Sequence, residues 1–271
     1  MHKRFLKIAT KLLRMVLGYL TLLMKPFATV GNRLAYNLPI PQKHHLDYVD
    51  KCKSPISSFL FQPLLPEELR SKIFLVPHDK SYGLYFSPTK LLTCSSAVIA
   101  PVLTEILNTS IRLGTYPSKL KIAKITPAFK NDDDMDANNY RPTSLLSNFN
   151  RLFEKIIYNR LTSYIKKHEL LYSLQYGFRK EHSTQHAILH IVNDVQTNMN
   201  QRLLSCGVFI DLKKTFDTVD YDILPDKLNH YGFRGIIDDC FSSYLKNRTQ
   251  TTQVGQHISD KAVFGYRVPQ G

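Results

Sequence analysis

Cysteine is scarce and scattered. The four residues Cys52, Cys94, Cys206 and Cys240 form no C-x-x-C pair and no His/Cys spacing of a metal site. That excludes a zinc knuckle and a disulfide-stapled secreted scaffold, and makes a reducing compartment, cytoplasmic or nuclear, the expectation. Long hydrophobic runs are missing as well: the mostly apolar stretch from Met15 to Met24 is short of the ~20 residues that span a bilayer, and no small-residue cleavage site accompanies it. Internal repeats and low-complexity tracts are absent. Negative charge is under-represented, with 22 Asp and Glu against 36 Lys and Arg, a formal net charge of +14. The sequence pI of about 9.5 implies a surface that attracts polyanions, so nucleic acid is the leading partner class and an anionic membrane surface the second. A basic surface also serves solubility alone, and composition does not separate these readings.

What is present begins with a basic amphipathic segment. No acidic residue precedes Asp47, and Lys3, Lys7, Lys11 and Arg14 recur at helical spacing beside Phe5, Ile8, Leu12 and Val16. A targeting helix, a membrane-surface helix and the translated upstream edge of a truncated element all fit. Pro26, Pro39, Pro41 and Pro55 then punctuate an aperiodic stretch, so residues 1–60 read as a basic helix and irregular lead-in, and residues 61–271 as the organised domain.

In that domain, Val98, Ile99, Val102, Leu103, Ile106, Leu107 and Ile111 recur at three and four and predict a helix within Ser96 to Leu113, stopped by Gly114. Pro101 is placed in or near its first turn. A strand fits Lys121 to Phe129, and Asp132, Asp133, Asp134 and Asp136 mark a turn. Further helices follow from Leu152, Phe153, Ile156, Ile157, Leu161 and Ile165, and from Ser183 through Val195. The apolar run GVFIDL, Gly207 to Leu212, suits a buried strand. Asp217 and Asp220 have capping-box spacing ahead of a short helix bracketed by Pro225 and Gly232. This alternation predicts an α+β or α/β domain with a covered sheet.

Phosphoryl transfer requires hard divalent ions held by rigid carboxylates, and Asp211 closes the apolar run on the same face as Phe209. Taken alone, an Asp ending a strand is more often a turn or cap residue. The surrounding run FIDLKKTFDTVDYDIL, Phe209 to Leu224, resembles the first palm motif of non-LTR (LINE-like) retrotransposon reverse transcriptases. YRPTSLLSNFNRLFEKIIYNRL, Tyr140 to Leu161, resembles their fingers motif, with Thr143 where Ile is usual. ITPAFK, Ile125 to Lys130, LQYGFRKEHST, Leu174 to Thr184, YLKNRTQ, Tyr244 to Gln250, and VPQG, Val268 to Gly271, resemble flanking segments in the family's order. The resemblance covers roughly Pro63 to Gly271.

It implies a right-hand polymerase fold, fingers plus an incomplete palm, with an antiparallel sheet covered by helices. By it Asp211 is the catalytic residue and metal ligand, joined by the backbone carbonyl of Leu212, and Mg²⁺ is the cofactor. Phe216 is the gate against the ribose 2′-hydroxyl, Lys130 and Arg141 meet the triphosphate, and Gln270 sits by the incoming nucleotide or template base. Asp211, Phe216 and Gln270 are then expected to converge on one cleft. Arg179 and Lys180 track nucleic-acid phosphates. The partners are an RNA template, a DNA primer and deoxynucleoside triphosphates. His182, His186 and His190 lie four apart, but no carboxylate or cysteine completes a metal site at useful spacing.

The sequence departs from the pattern in places. Arg267 stands where glycine usually precedes VPQG, KSYGLY at Lys80 to Tyr85 lacks a proline, and the family's tryptophan is missing because the chain has none. The paired-aspartate motif is not found in these 271 residues. The expectation is therefore a fragment of an RNA-directed DNA polymerase, truncated before its active site is complete and inactive alone. The rival of another class is a non-catalytic, basic RNA- or DNA-binding remnant.

Overall fold

A computed structural model describes residues 44–48, 54–77, 83, 88–129, 139–212, 215–217 and 219–264, with the single positions 29 and 36. The basic N-terminal segment, the acidic turn at 132–136, Lys130 and Gln270 lie outside the described residues. In chain order the helices are α1 Pro66–Ile73, α2 Thr89–Cys94, α3 Ser96–Arg112, α4 Asn148–Lys167, α5 Thr184–Asn200, α6 Ile223–His230 and α7 Ile236–Leu245. The strands are β1 Ile122–Phe129, β2 Tyr140–Leu145, β3 Arg248–Val254, β4 His257–Ile258 and β5 Ala262–Phe264. The chain divides into two units, residues 1–160 with 214–271, and residues 161–213.

In the larger unit β1 lies between β2 and β3. It pairs antiparallel with β2, Phe129 opposite Tyr140 and Lys124 opposite Leu145, and parallel with β3, Ile122 opposite Thr249 and Ile125 opposite Thr252. The sheet is therefore mixed, which corrects the expectation of an antiparallel one. A parallel neighbour needs a crossover rather than a tight turn, and here the chain passes through β2 and four helices before it returns as β3. β4 and β5 pair antiparallel with β3, and between them Ser259 spans the interruption. Its Oγ accepts from Thr252 N–H at 2.9 Å, and its N–H donates to Thr252 C=O at 2.9 Å.

Alternation along β1 buries Ala123 and Ile125, which meet Leu146, Tyr140 and Val254 in a small core. α3 packs on α1, α2 and α7, and α6 packs on α7. Leu69 and Ile73 of α1, Leu107 of α3, and Phe153 and Ile156 of α4 are buried. α3 spans nearly the predicted range, with Pro101 just beyond its first turn. It ends at Gly114, whose φ of 61° lets its N–H reach Ile111 C=O at 3.1 Å while Thr115 N–H reaches Ser110 C=O at 2.9 Å. A side chain at Gly114 would also meet the Asp239 Cβ at 2.8 Å. Gly83 is fixed by a close approach instead: a Cβ there would lie 2.7 Å from the Ser147 nitrogen.

The irregular segment at 54–65 is held down. Asn108 clamps Leu64 through both its backbone groups, at 2.9 and 3.0 Å, Phe59 stacks on Phe233 at 5.2 Å, and Arg234 donates to Ser54, Ser58 and the Pro55 carbonyl.

The smaller unit holds the end of α4, a looped stretch, α5 and an extended run at 203–212. None of its described residues is buried. Residues 207–212 form no strand, which corrects the sequence expectation. Phe209 is 88% exposed and Ile210 79%. An apolar run becomes a strand only with a neighbour to complete its ladder, and none of the described strands pairs with it.

Candidate functional site

The residues expected to do chemistry are placed unevenly. Asp211 and Leu212 stand on the exposed extended run of the smaller unit, not at the end of a central strand. Phe216 belongs to the larger unit, on the 3-10 turn Thr215–Asp217, and is 37% exposed. Just after it, Asp220 Oδ1 accepts from Asp222 N–H at 2.8 Å and Ile223 N–H at 3.2 Å, so Asp220 turns the chain into α6. The backbone of Arg141 lies in β2 opposite Ala128, two residues before Lys130.

Arg179 and Lys180 behave differently from each other. The Arg179 guanidinium donates to the Tyr172 and Ser173 carbonyls at 3.4 and 3.2 Å, whereas Lys180 is exposed beside Glu181 at 3.6 Å. Ser183 caps α5 by accepting from His186 N–H at 3.3 Å. His182, just before that helix, and His190 within it serve local contacts: Tyr176 packs against both, and His190 meets Asp194 at 3.4 Å.

The most constructed cluster is one that sequence reasoning missed. It joins the entry to β1, the first turns of α4 and the junction of α7 with β3. Tyr116 Oη donates to Asn150 Oδ1 at 2.5 Å, and Asn150 Nδ2 donates to Glu154 Oε1 at 2.9 Å. Tyr244 Oη donates to the same carboxylate oxygen at 2.7 Å. Arg248, 0% exposed, lies over the Tyr244 ring at 4.7 Å and donates from Nη1 to the Tyr244 carbonyl at 3.1 Å. Its Nε and Nη2 have no hydrogen-bond partner among the described residues. Lys121 Nζ meets Ser243 Oγ at 3.3 Å, which also accepts from Tyr116 N–H at 2.9 Å.

Burial sets the electrostatics of this cluster. It pushes the Glu154 carboxyl up, against the pull of the Tyr244 hydrogen bond, the Arg248 charge, the Asn150 hydrogen bond and the Arg151 charge. It also pushes the Tyr116 and Tyr244 phenols well above their ordinary range, with the Glu154 charge adding to the effect. Lys121 is lowered by burial and then by Arg248, and the Cys240 thiol is pushed up to about 11 by burial. The signal available in the sequence was positional: Glu154 and Arg248 are charged residues inside two of the quoted motifs, one a helical turn after Asn150 and Arg151 and one opening a strand.

An α+β domain whose motifs fold around a mixed sheet defines the class. Residues 129–271 match the family model described as reverse transcriptase (RNA-dependent DNA polymerase). The chain is 28% identical over 231 residues to the "Probable RNA-directed DNA polymerase from transposon BS" of Drosophila melanogaster, covering 84% of this chain and 25% of that protein. It is 28% identical over 218 residues to the "RNA-directed DNA polymerase from mobile element jockey" of the same species, covering 78% and 24%. The "Probable RNA-directed DNA polymerase from transposon X-element" is 26% identical over 173 residues, covering 62% and 19%. The chain belongs to the reverse transcriptase family, in its LINE-like, non-LTR branch. It spans about a quarter of the length of the first two of these relatives.

The family depends on divalent metal in general. Among the described residues no group of three or more His, Cys, Asp or Glu could hold an ion, and Asp211 stands alone on an exposed segment, so these residues do not by themselves fit a metal site. No helix among them is long and apolar enough to cross a membrane.

Proposed function

We propose that this chain supplies fingers and front-of-palm parts of a retroelement RNA-directed DNA polymerase. Nucleotidyl transfer by a two-metal mechanism then belongs to a larger protein, and residues 1–271 alone do not catalyse it. The observation that carries this reading is the match over residues 129–271, inside which Asp211 and Phe216 stand five residues apart in the palm-like motif. In this reading Asp211 and the Leu212 carbonyl would be this chain's share of a Mg²⁺ site whose other ligands come from the larger protein, Phe216 lies beneath the sugar, and Gln270 approaches the base. Lys130 and Arg141 neutralise the triphosphate from the β1–β2 hairpin, whose register brings Arg141 near the end of β1. Lys180 tracks backbone phosphates, and Arg179 shapes the loop that presents it, since its guanidinium is engaged with two carbonyls. Two catalytic metals ask for several carboxylates, and Asp211 is the one candidate that the resemblance supplies.

The test is template-primer binding together with primer extension by purified residues 1–271. The expected result is binding to an RNA template annealed to a DNA primer, with no Mg²⁺-dependent extension above background. Stronger binding to anionic vesicles than to the template-primer would defeat the polymerase reading. Robust synthesis that vanishes in Asp211→Asn would sink the claim of inactivity.

A further inference from the structure

β3 is an unusual central strand. Its sequence RTQTTQV has polar residues on both faces, yet Arg248, Gln250, Thr251 and Thr252 are all buried. A strand keeps its register when one apolar face must point to the core and a slip by one residue would expose it. Only Val254, at the far end of the strand, packs on the apolar core, so the polar stretch from Arg248 to Thr252 that pairs with β1 calls for another source of register.

The Glu154 cluster stands where such a source is needed. Tyr116 lies just before the turn that enters β1, Asn150 and Glu154 follow the exit from β2, and Tyr244 and Arg248 flank the entry to β3. Arg248 is the first residue of β3 and is tied to Glu154 through Tyr244, whose carbonyl accepts from Arg248 Nη1 at 3.1 Å and whose Oη donates to Glu154 at 2.7 Å, while Asn150 donates to the same carboxylate oxygen. Removing one member of a buried charged group is strongly unfavourable, while removing both members is often nearly neutral. An ionic group of this kind specifies one arrangement over its neighbours more than it adds stability.

We infer that Glu154, Tyr244 and Arg248 are positioning residues, a hydrogen-bonded pin anchored on the buried Arg248 that fixes the register of β3 against β1 and thereby sets the far end of the β1–β2 hairpin. The second half of that statement rests on the reading that Lys130, next in sequence after β1, and Arg141, in β2, meet the triphosphate.

The experiment compares wild type, Glu154→Gln, Arg248→Met, the double variant and Tyr244→Phe, each as the full 271-residue chain at mildly alkaline pH. Amide hydrogen exchange is read in β1 and β3, and dTTP binding is read in Mg²⁺. Each of the first two single variants is expected to lower protection at residues 122–125 and 249–252 roughly tenfold, the loss of a charged hydrogen-bonding partner. α1 and α3 should keep their protection, and the double variant should recover most of what is lost. Losses that add in the double variant, or that spread equally to α1 and α3, would mean ordinary packing and overturn the pin. Should Glu154→Gln fail to fold, Tyr244→Phe keeps the ring and removes one hydrogen bond. It must then show a smaller loss confined to the same amides, and no loss there also overturns the pin.

The nucleotide arm separates the two readings. If Lys130→Ala/Arg141→Ala leaves dTTP binding unchanged while the exchange pattern holds, the triphosphate reading fails and the pin stands. If that double variant weakens dTTP binding and Glu154→Gln does not, the pin does not govern the hairpin end.

Discussion

Glu154 shows how one side chain can be necessary and costly at once. Its carboxylate accepts from Tyr244 and Asn150, yet burial still raises its proton affinity. The consequence for stability has a definite sign. A carboxyl whose folded pKa is raised binds more protons in the native than in the unfolded state, so stability falls as pH rises through the window between the two values. That window opens near the ordinary value of 4.5 and extends upward from it. Urea unfolding of wild type across this range should show a declining midpoint component that Glu154→Gln lacks. Parallel curves for the two would remove the raised carboxyl from the account. None of this was legible in the sequence, where Glu154 reads as one charged residue on an amphipathic helix and its partner Tyr244 lies 90 residues away.

Helices and strands were legible to the extent that their own residues carried the period. α3, α4, α5 and β1 follow from apolar spacing because each has one face that differs from the rest. β3 was not readable that way, since its burial comes from a position beside β1 and not from apolar content. The run at 207–212 failed for the opposite reason: its composition suits a strand, but no ladder partner stands beside it among the described residues. α5 makes the same point for helices. Ser183 and the spacing of Ile188, Ile191, Val192 and Val195 announce it correctly, yet none of its residues is buried. Amphipathic spacing therefore forecasts a helix and says nothing of whether its stripe is covered. The contrast is measurable by substitution. Ile191→Ala and Val192→Ala, at 50% and 52% exposure, should change unfolding free energy by no more than about 0.5 kcal/mol. Phe153→Ala and Ile156→Ala in α4, at 1% and 2% exposure, should each cost about 2–5 kcal/mol through lost burial and the cavity left behind. Equal costs in the two helices would show that α5 is covered in solution.

At the scale of the whole molecule, the excess of 36 basic over 22 acidic residues means that the nucleic-acid binding proposed above, tested on single-stranded RNA, would be governed by counterion release. Each phosphate neutralised on a single strand contributes about −0.7 to the slope of log affinity against log salt, so binding should weaken steeply between low and physiological ionic strength. The structure adds a distinction that net charge does not contain. Lys180 extends from an exposed position, and its pairing with Glu181 at 3.6 Å is between two largely solvated groups, which contributes little. Arg179 two of whose guanidinium contacts are backbone carbonyls of its own loop, has fewer donors to offer a phosphate. Lys180→Ala should then reduce the salt slope by roughly one contact and weaken binding uniformly across RNA sequences. Arg179→Ala should leave the slope nearly intact while loosening the 172–183 loop, visible as faster proteolysis there. Anisotropy titrations of a labelled RNA at four or more salt concentrations decide between them. A slope that falls for Arg179→Ala and not for Lys180→Ala would reverse the assignment of phosphate contact and loop support to these two residues.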